Sequence, residues 1–159
     1  MEAKEIVKRD QINVLVIGNN PIELGELFQV LSKVQGKHVV SEIAFDLKSA
    51  MERLGKIQLQ FILIDDNIGR HELKSAMKAF SSDRRTREVP ITVLKNSNYQ
   101  EAIENGVLNY VLKRNLTGES LYNELLNSLR FKKTQQYLIQ AYNKRKGQLA
   151  RLLRPNPAV

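Results

Sequence analysis

An α/β fold, a five-stranded parallel sheet with helices on both faces, is predicted by this sequence from three observations. Two runs of bulky apolar residues, Val14-Leu15-Val16-Ile17 and Phe61-Ile62-Leu63-Ile64, contain no polar residue, as suits strands buried on both sides. Segments with apolar residues at helical spacing alternate with the β-rich runs, and each parallel connection needs such a crossover. Gly, Pro, Asn or Asp stands at most of the joints.

The first strand is expected over 12–17, and Pro21 suits the opening turn of the helix after it, where its missing N–H costs nothing. Ile22, Leu24, Leu27, Phe28, Leu31 and Val34 then recur at helical spacing until Gly36. A short strand over 39–44 leads to Asp46, a fitting N-cap for a helix with Leu47, Ala50, Met51 and Leu54 on one face. The third strand spans 61–64. Leu73, Ala76, Met77 and Phe80 mark a helix over 71–80, and Pro90 precedes a fourth strand over 91–94. A short helix over 99–105 stops at Gly106, and Tyr110, Val111 and Leu112 form the fifth strand. The last helix, over 120–153, contains no Pro and one Gly, Gly147, and outruns what is needed to cover the sheet. At about 1.5 Å per residue, its part after Arg130 projects over roughly 30 Å. A flavodoxin-like three-layer fold with an extended C-terminal helix follows.

With 159 residues the chain suits one domain, assigned to 1–129, and a basic helical extension and tail over 130–159. The net charge of +8 lies in that tail. Arg130, Lys132, Lys133, Lys144, Arg145, Lys146, Arg151 and Arg154 are accompanied there by no Asp or Glu. With no cysteine there is no disulfide, thiol chemistry or Cys-based metal site, which fits a cytoplasmic protein. No run approaches the roughly 18 apolar residues of a membrane span, so no membrane partner is expected.

The third strand ends on two carboxylates, Asp65 and Asp66, at the rim where parallel sheets place their sites. Taken alone, the pair also suits a turn completed by Asn67 and Gly69. Four segments in order, Val14 through Pro21, Ile62 through Asp65, Pro90 through Lys95 and Gly106 through Lys113, resemble the receiver domains of two-component response regulators. The resemblance implies a sheet order of 2-1-3-4-5. It places Asp65 at the phosphoacceptor position, Lys113 at the family's lysine and Tyr110 at its aromatic switch. It also exposes departures. Gly18 and Asn19 stand where the family has two acids, Lys95 where it has Ser or Thr, and Arg114 where it has Pro.

These departures bear on the chemistry. Phosphoryl transfer to aspartate uses magnesium to neutralise crowded oxygens, and magnesium needs one or two carboxylates to hold it. Gly18 offers no donor and Asn19 only a neutral amide. Asp66, adjacent on an extended strand, points away from Asp65, so no second carboxylate is expected beside Asp65. At most a weak magnesium site at Asp65 remains, and no other cofactor is expected. Lys95 and Lys113 instead supply positive charge to Asp65, giving a degenerate phosphoacceptor site of Asp65, Lys95, Lys113, Asn19 and Tyr110. The expected function is an atypical receiver, a pseudo-receiver, that acts in signal transduction through protein contacts without catalytic turnover. The alternatives are a phosphorylatable receiver retaining Asp65 as acceptor, or a basic nucleic-acid-binding regulator using the C-terminal helix.

An enzyme site finds no support. One glycine after Ile17 does not make a phosphate-cradling loop, no nucleophile–base pair stands out, and His38 and His71 lack metal-ligand spacing. Phe131, Leu138, Tyr142, Leu149 and Leu152 form a stripe compatible with coiled-coil pairing, with Gln135 and Arg145 at intervening positions. They are the expected partner-binding residues, for a signalling protein or, most simply, a homodimer. The same basic helix suits nucleic-acid phosphates less well, since no base-reading element accompanies it.

Overall fold

The structure, a computed structural model, describes residues 11–95, 109–113 and 116–153, with only the backbone of Asn109 and Tyr110. In chain order these residues form β1 (Gln11–Ile17), α1 (Pro21–Ser32), β2 (His38–Ala44), α2 (Leu47–Arg53) and β3 (Phe61–Asp65). A 3-10 turn (Asp66–Ile68), α3 (Arg70–Ser82), β4 (Ile91–Lys95), β5 (Asn109–Leu112) and α4 (Gly118–Leu153) complete them. The helix expected over 99–105 lies outside the described residues.

All strand pairings are parallel and the sheet order is β2-β1-β3-β4-β5. The order changes direction at β1, so the carboxyl ends of β1 and β3 flank a crevice, the usual place for a site in such sheets. Because side chains alternate across a strand, each central strand supplies both faces. Leu15, Ile17, Ile62, Ile64 and Val93 pack with Ala50 of α2, with Leu54 at its end, and with Ala76, Met77 and Phe80 of α3. Val14, Val16, Phe61, Leu63 and Leu94 pack with Leu24, Leu27 and Leu31 of α1 and with Leu121 and Leu125 of α4. This double burial is why β1 and β3 read as unbroken apolar runs.

Local chemistry fixes the helix ends, with Pro21 and Asp46 acting as the sequence predicts. Asn20 caps α1, its Oδ1 accepting from the backbone N–H of Ile22 at 3.0 Å and of Glu23 at 3.3 Å, with Pro21 beginning the helix. Asp46 caps α2 by accepting from the Ser49 N–H at 2.7 Å. Gly69, at φ 94°, takes the left-handed turn between the 3-10 turn and α3 that a side chain would disfavour.

α4 packs on the sheet through its first turns only. Leu121, Leu125 and Ser128 are buried, and the Ser128 Oγ lies 2.8 Å from the Thr92 Oγ1 in β4, a buried hydroxyl pair. The helix runs on without a break, so the limit at 129–130 is a change in what it faces. Phe131, Tyr137, Leu138, Ile139, Tyr142, Leu149, Leu152 and Leu153 are all exposed. Among the described residues no helix is long and apolar enough to cross a membrane.

Candidate functional site

The last residue of β3 is Asp65, which falls by alternation on the α1 side of the sheet, in step with Phe61 and Leu63. It is 4% exposed, a depth at which a carboxylate needs partners. Its Oδ1 accepts from the Asn67 backbone N–H at 2.9 Å and from the Lys113 Nζ at 2.7 Å, and its Oδ2 lies 2.6 Å from the same ammonium. Asp65 therefore caps the 3-10 turn and pairs with Lys113 at once.

Lys113 follows β5 and reaches the site because its backbone N–H donates to the Lys95 carbonyl at 2.9 Å, continuing the pairing of β5 with β4 past Leu112. Its ammonium also donates to the Glu23 Oε2 at 3.1 Å. Burial alone would lower the pKa of this ammonium. The hydrogen bonds to Asp65 and Glu23 outweigh that and raise it above its ordinary value. Glu23 in turn accepts from the Asn67 Nδ2 at 3.0 Å, and Asn67 accepts at its carbonyl from the Asn19 Nδ2 at 2.9 Å. The loop after β1, the first turn of α1 and the turn after β3 are thus tied together.

The expectation that no carboxylate other than Asp66 stands near Asp65 is corrected by Glu23. The reason is geometric. Asn20 and Pro21 start α1 immediately after the rim, so Glu23 lies one turn before Leu27 and two before Leu31, both core residues. A carboxylate heading a core-facing row of spacing four is the sequence signal that would have found it. Asp66 opens the 3-10 turn, as its place in a turn requires.

The remaining expected residues are placed as follows. Asn19 points its amide at Asn67. Lys95 is half-buried at the end of β4, and alternation puts it in line with Ile91 and Val93 on the α2 and α3 side of the sheet. The Tyr110 side chain lies outside the described residues. Gly18 lies against the core: a Cβ there would come within 2.8 Å of the Leu24 Cδ2 and 3.3 Å of the Asp65 Cβ. A cleft of about 420 Å³ opens beside the pair, lined by Glu23, Glu26, Val30, Asp65, Lys113 and Leu116 among others. Among the described residues no three His, Asp or Glu side chains gather as metal ligands would.

Solved structures show what this arrangement is similar to. The receiver domain of a sensor histidine kinase from Pseudomonas aeruginosa PAO1, with a magnesium ion in its active-site cleft, matches at a TM-score of 0.63 and 18% identity. That match covers 75% of this chain and 98% of the other. The chemotaxis response regulator CheY4 of Vibrio cholerae matches at a TM-score of 0.59 and 21% identity, covering 75% of this chain and 99% of the other. A fusion chain that carries a trimeric coiled-coil segment of yeast Spc42 matches at a TM-score of 0.59 and 17% identity. It covers 89% of this chain and 98% of the other, more of this chain than residues 1–129 amount to. No family model and no curated protein matches the sequence. The chain therefore has the fold of response-regulator receiver domains, with the strand order and three-layer build that the sequence predicts.

Proposed function

We propose that the chain is an atypical receiver that works in signal transduction as a protein-interaction module, without turnover and independently of magnesium-dependent phosphorylation of Asp65. The observation that carries this reading is the ammonium of Lys113, lying within hydrogen-bonding distance of both Asp65 oxygens and of Glu23. Both Asp65 oxygens, which an incoming phosphoryl group or a metal would need, already face a cation. The residues present fit magnesium poorly. Position 18 has no donor, and Leu24 fills the space where one would stand. The amide of Asn19 is committed to Asn67, and the Glu23 carboxylate is shared between Lys113 and Asn67. A dication here would be forced against Lys113, at a Coulombic cost that magnesium's usual two carboxylates would not offset.

The module's proposed contact surface is the exposed face of α4 beginning at Phe131. A cytoplasmic setting fits a chain without cysteine. Incubation with acetyl phosphate, or with beryllofluoride, in the presence of magnesium tests the site. The expected outcome is no phosphoaspartate by intact mass and no change in the amide spectrum around Asp65. Stoichiometric modification of Asp65 would return the protein to the phosphorylatable class.

A further inference from the structure

The exposed half of α4 combines two features that together define its occupant. Positions 131, 135, 138, 142, 145, 149 and 152 advance by alternating steps of four and three, the seam of a coiled coil. Five of them, Phe131, Leu138, Tyr142, Leu149 and Leu152, are apolar and more than half exposed, Leu152 at 82%. The seam is interrupted by Gln135 and by Arg145. From residue 125 to 153 there is no acid, whereas Arg130, Lys132, Lys133, Lys144, Arg145, Lys146 and Arg151 are all basic.

A second copy suits the apolar positions and fails on charge. Two such helices, in either orientation, bring Lys132, Arg145 and Lys146 of each to the seam or its flanks, and neither helix offers a carboxylate from 125 to 153. A parallel pair would stack Arg145 on Arg145 inside the seam. Like charges in a seam are a known means of rejecting self-pairing. Nucleic acid would satisfy the basic residues and leave the apolar seam in water. An acidic helix satisfies both, because its apolar seam covers the stripe while a carboxylate opposite Arg145 meets the buried guanidinium.

We propose that the face of α4 from Phe131 to Leu152 docks an acidic amphipathic helix of a different protein in a two-helix coiled coil, with Arg145 as the residue that rejects a second copy. This rests on the interaction-module reading above and names that module's partner class.

The test uses the full-length protein and a synthetic helical peptide of about four heptads. The peptide carries Leu at its seam positions, Glu at the flanking positions and one Glu in the seam opposite Arg145. Its control carries Gln for every Glu. The expected results are a monomer by sedimentation and one-to-one binding of the Glu peptide over the Gln peptide. Arg145→Glu is expected to weaken binding on the order of thirtyfold. Lys144→Glu, the same charge change off the seam, is expected to cost less than about fivefold. Circular dichroism of both variants checks that the helix is intact.

Equal binding of the two peptides, or equal losses from the two variants, overturns the proposal. Self-association abolished by Leu138→Ser also overturns it, while leaving the interaction-module reading in place. Tighter binding to generic duplex DNA, or to phosphatidylcholine–phosphatidylserine vesicles, than to the Glu peptide overturns both.

Discussion

Lys113 is where the site's electrostatics concentrate, because one ammonium serves a nearly buried carboxylate and a second one at its rim. Lys113→Met would leave Asp65 without its cation, and breaking a buried pair by removing one partner costs about 3 kcal/mol. Urea unfolding at neutral pH should show that loss, and an unchanged midpoint would mean that Asp65 is solvated in some other way. The pH dependence has a definite sign. The folded-state pKa of Lys113 lies above the ordinary 10.5, so its contribution is complete below that value and is lost as pH rises through the raised one. Above pH 10.5 the wild type should therefore lose stability that the Met variant lacks. At this scale the sequence was legible where the third strand ends, since Asp65 follows from that boundary and its placement at the rim, whereas Lys113 came from the resemblance to receiver domains. Glu23 was not legible in that way, since its role depends on how α1 stands over the rim, which no strand pattern reveals. Nor does the sequence show that Leu24 fills the space beside Gly18, a matter of how α1 packs.

The helices and strands followed closely from sequence because burial, capping and turn chemistry agree at each one. Pro21 and Asn20 start α1, Asp46 starts α2, and Gly69 turns the chain into α3. The expected strands differ from the observed ones by a residue at an end, where pairing continues beyond the apolar run, as with Asp65 and Lys95. α4 is the element that sequence periodicity describes best and burial stabilises least. Past Leu129 it has little tertiary packing, and its stability rests on helix propensity, which Gly147 lowers. A Cβ at Gly147 meets nothing within 4 Å. Gly147→Ala should therefore stabilise the helix by about 0.5–1 kcal/mol, read as greater amide-exchange protection over 140–153. Unchanged protection there would mean that something else already holds this part of the helix.

For the whole molecule, charge and stability are divided along the chain. Residues 1–129 hold 17 Lys and Arg against 17 Asp and Glu, while all eight charges of the excess follow. The core lies on both faces of the sheet and takes only Leu121 and Leu125 from α4, with Leu129 partly buried at its margin. A chain ending at Arg130 should unfold at the same urea concentration as the full protein, within the roughly 0.5 kcal/mol expected of surface changes. A larger loss would show that the outer helix stabilises the sheet-packed body. The layered fold was legible at this scale because five strands with crossovers leave few topologies, while the order 2-1-3-4-5 came from the resemblance to receiver domains. What α4 meets was less legible, since its seam pattern admits several occupants and only the distribution of charge separates them.

The buried hydrogen bond between Thr92 and Ser128 sets an orientation as well as contributing stability. Ser128 stands three residues before Phe131 on the same unbroken helix, so the angle at which α4 is pinned to β4 is also the angle at which its outer face is presented. One residue inserted between them would swing that face by about 100° while leaving sheet and helix locally intact. The two ends of the molecule thus share a single rotational phase. Any twist imposed on α4 by a partner would arrive as torque at β4, the strand whose residue Leu94 is in register with Asp65.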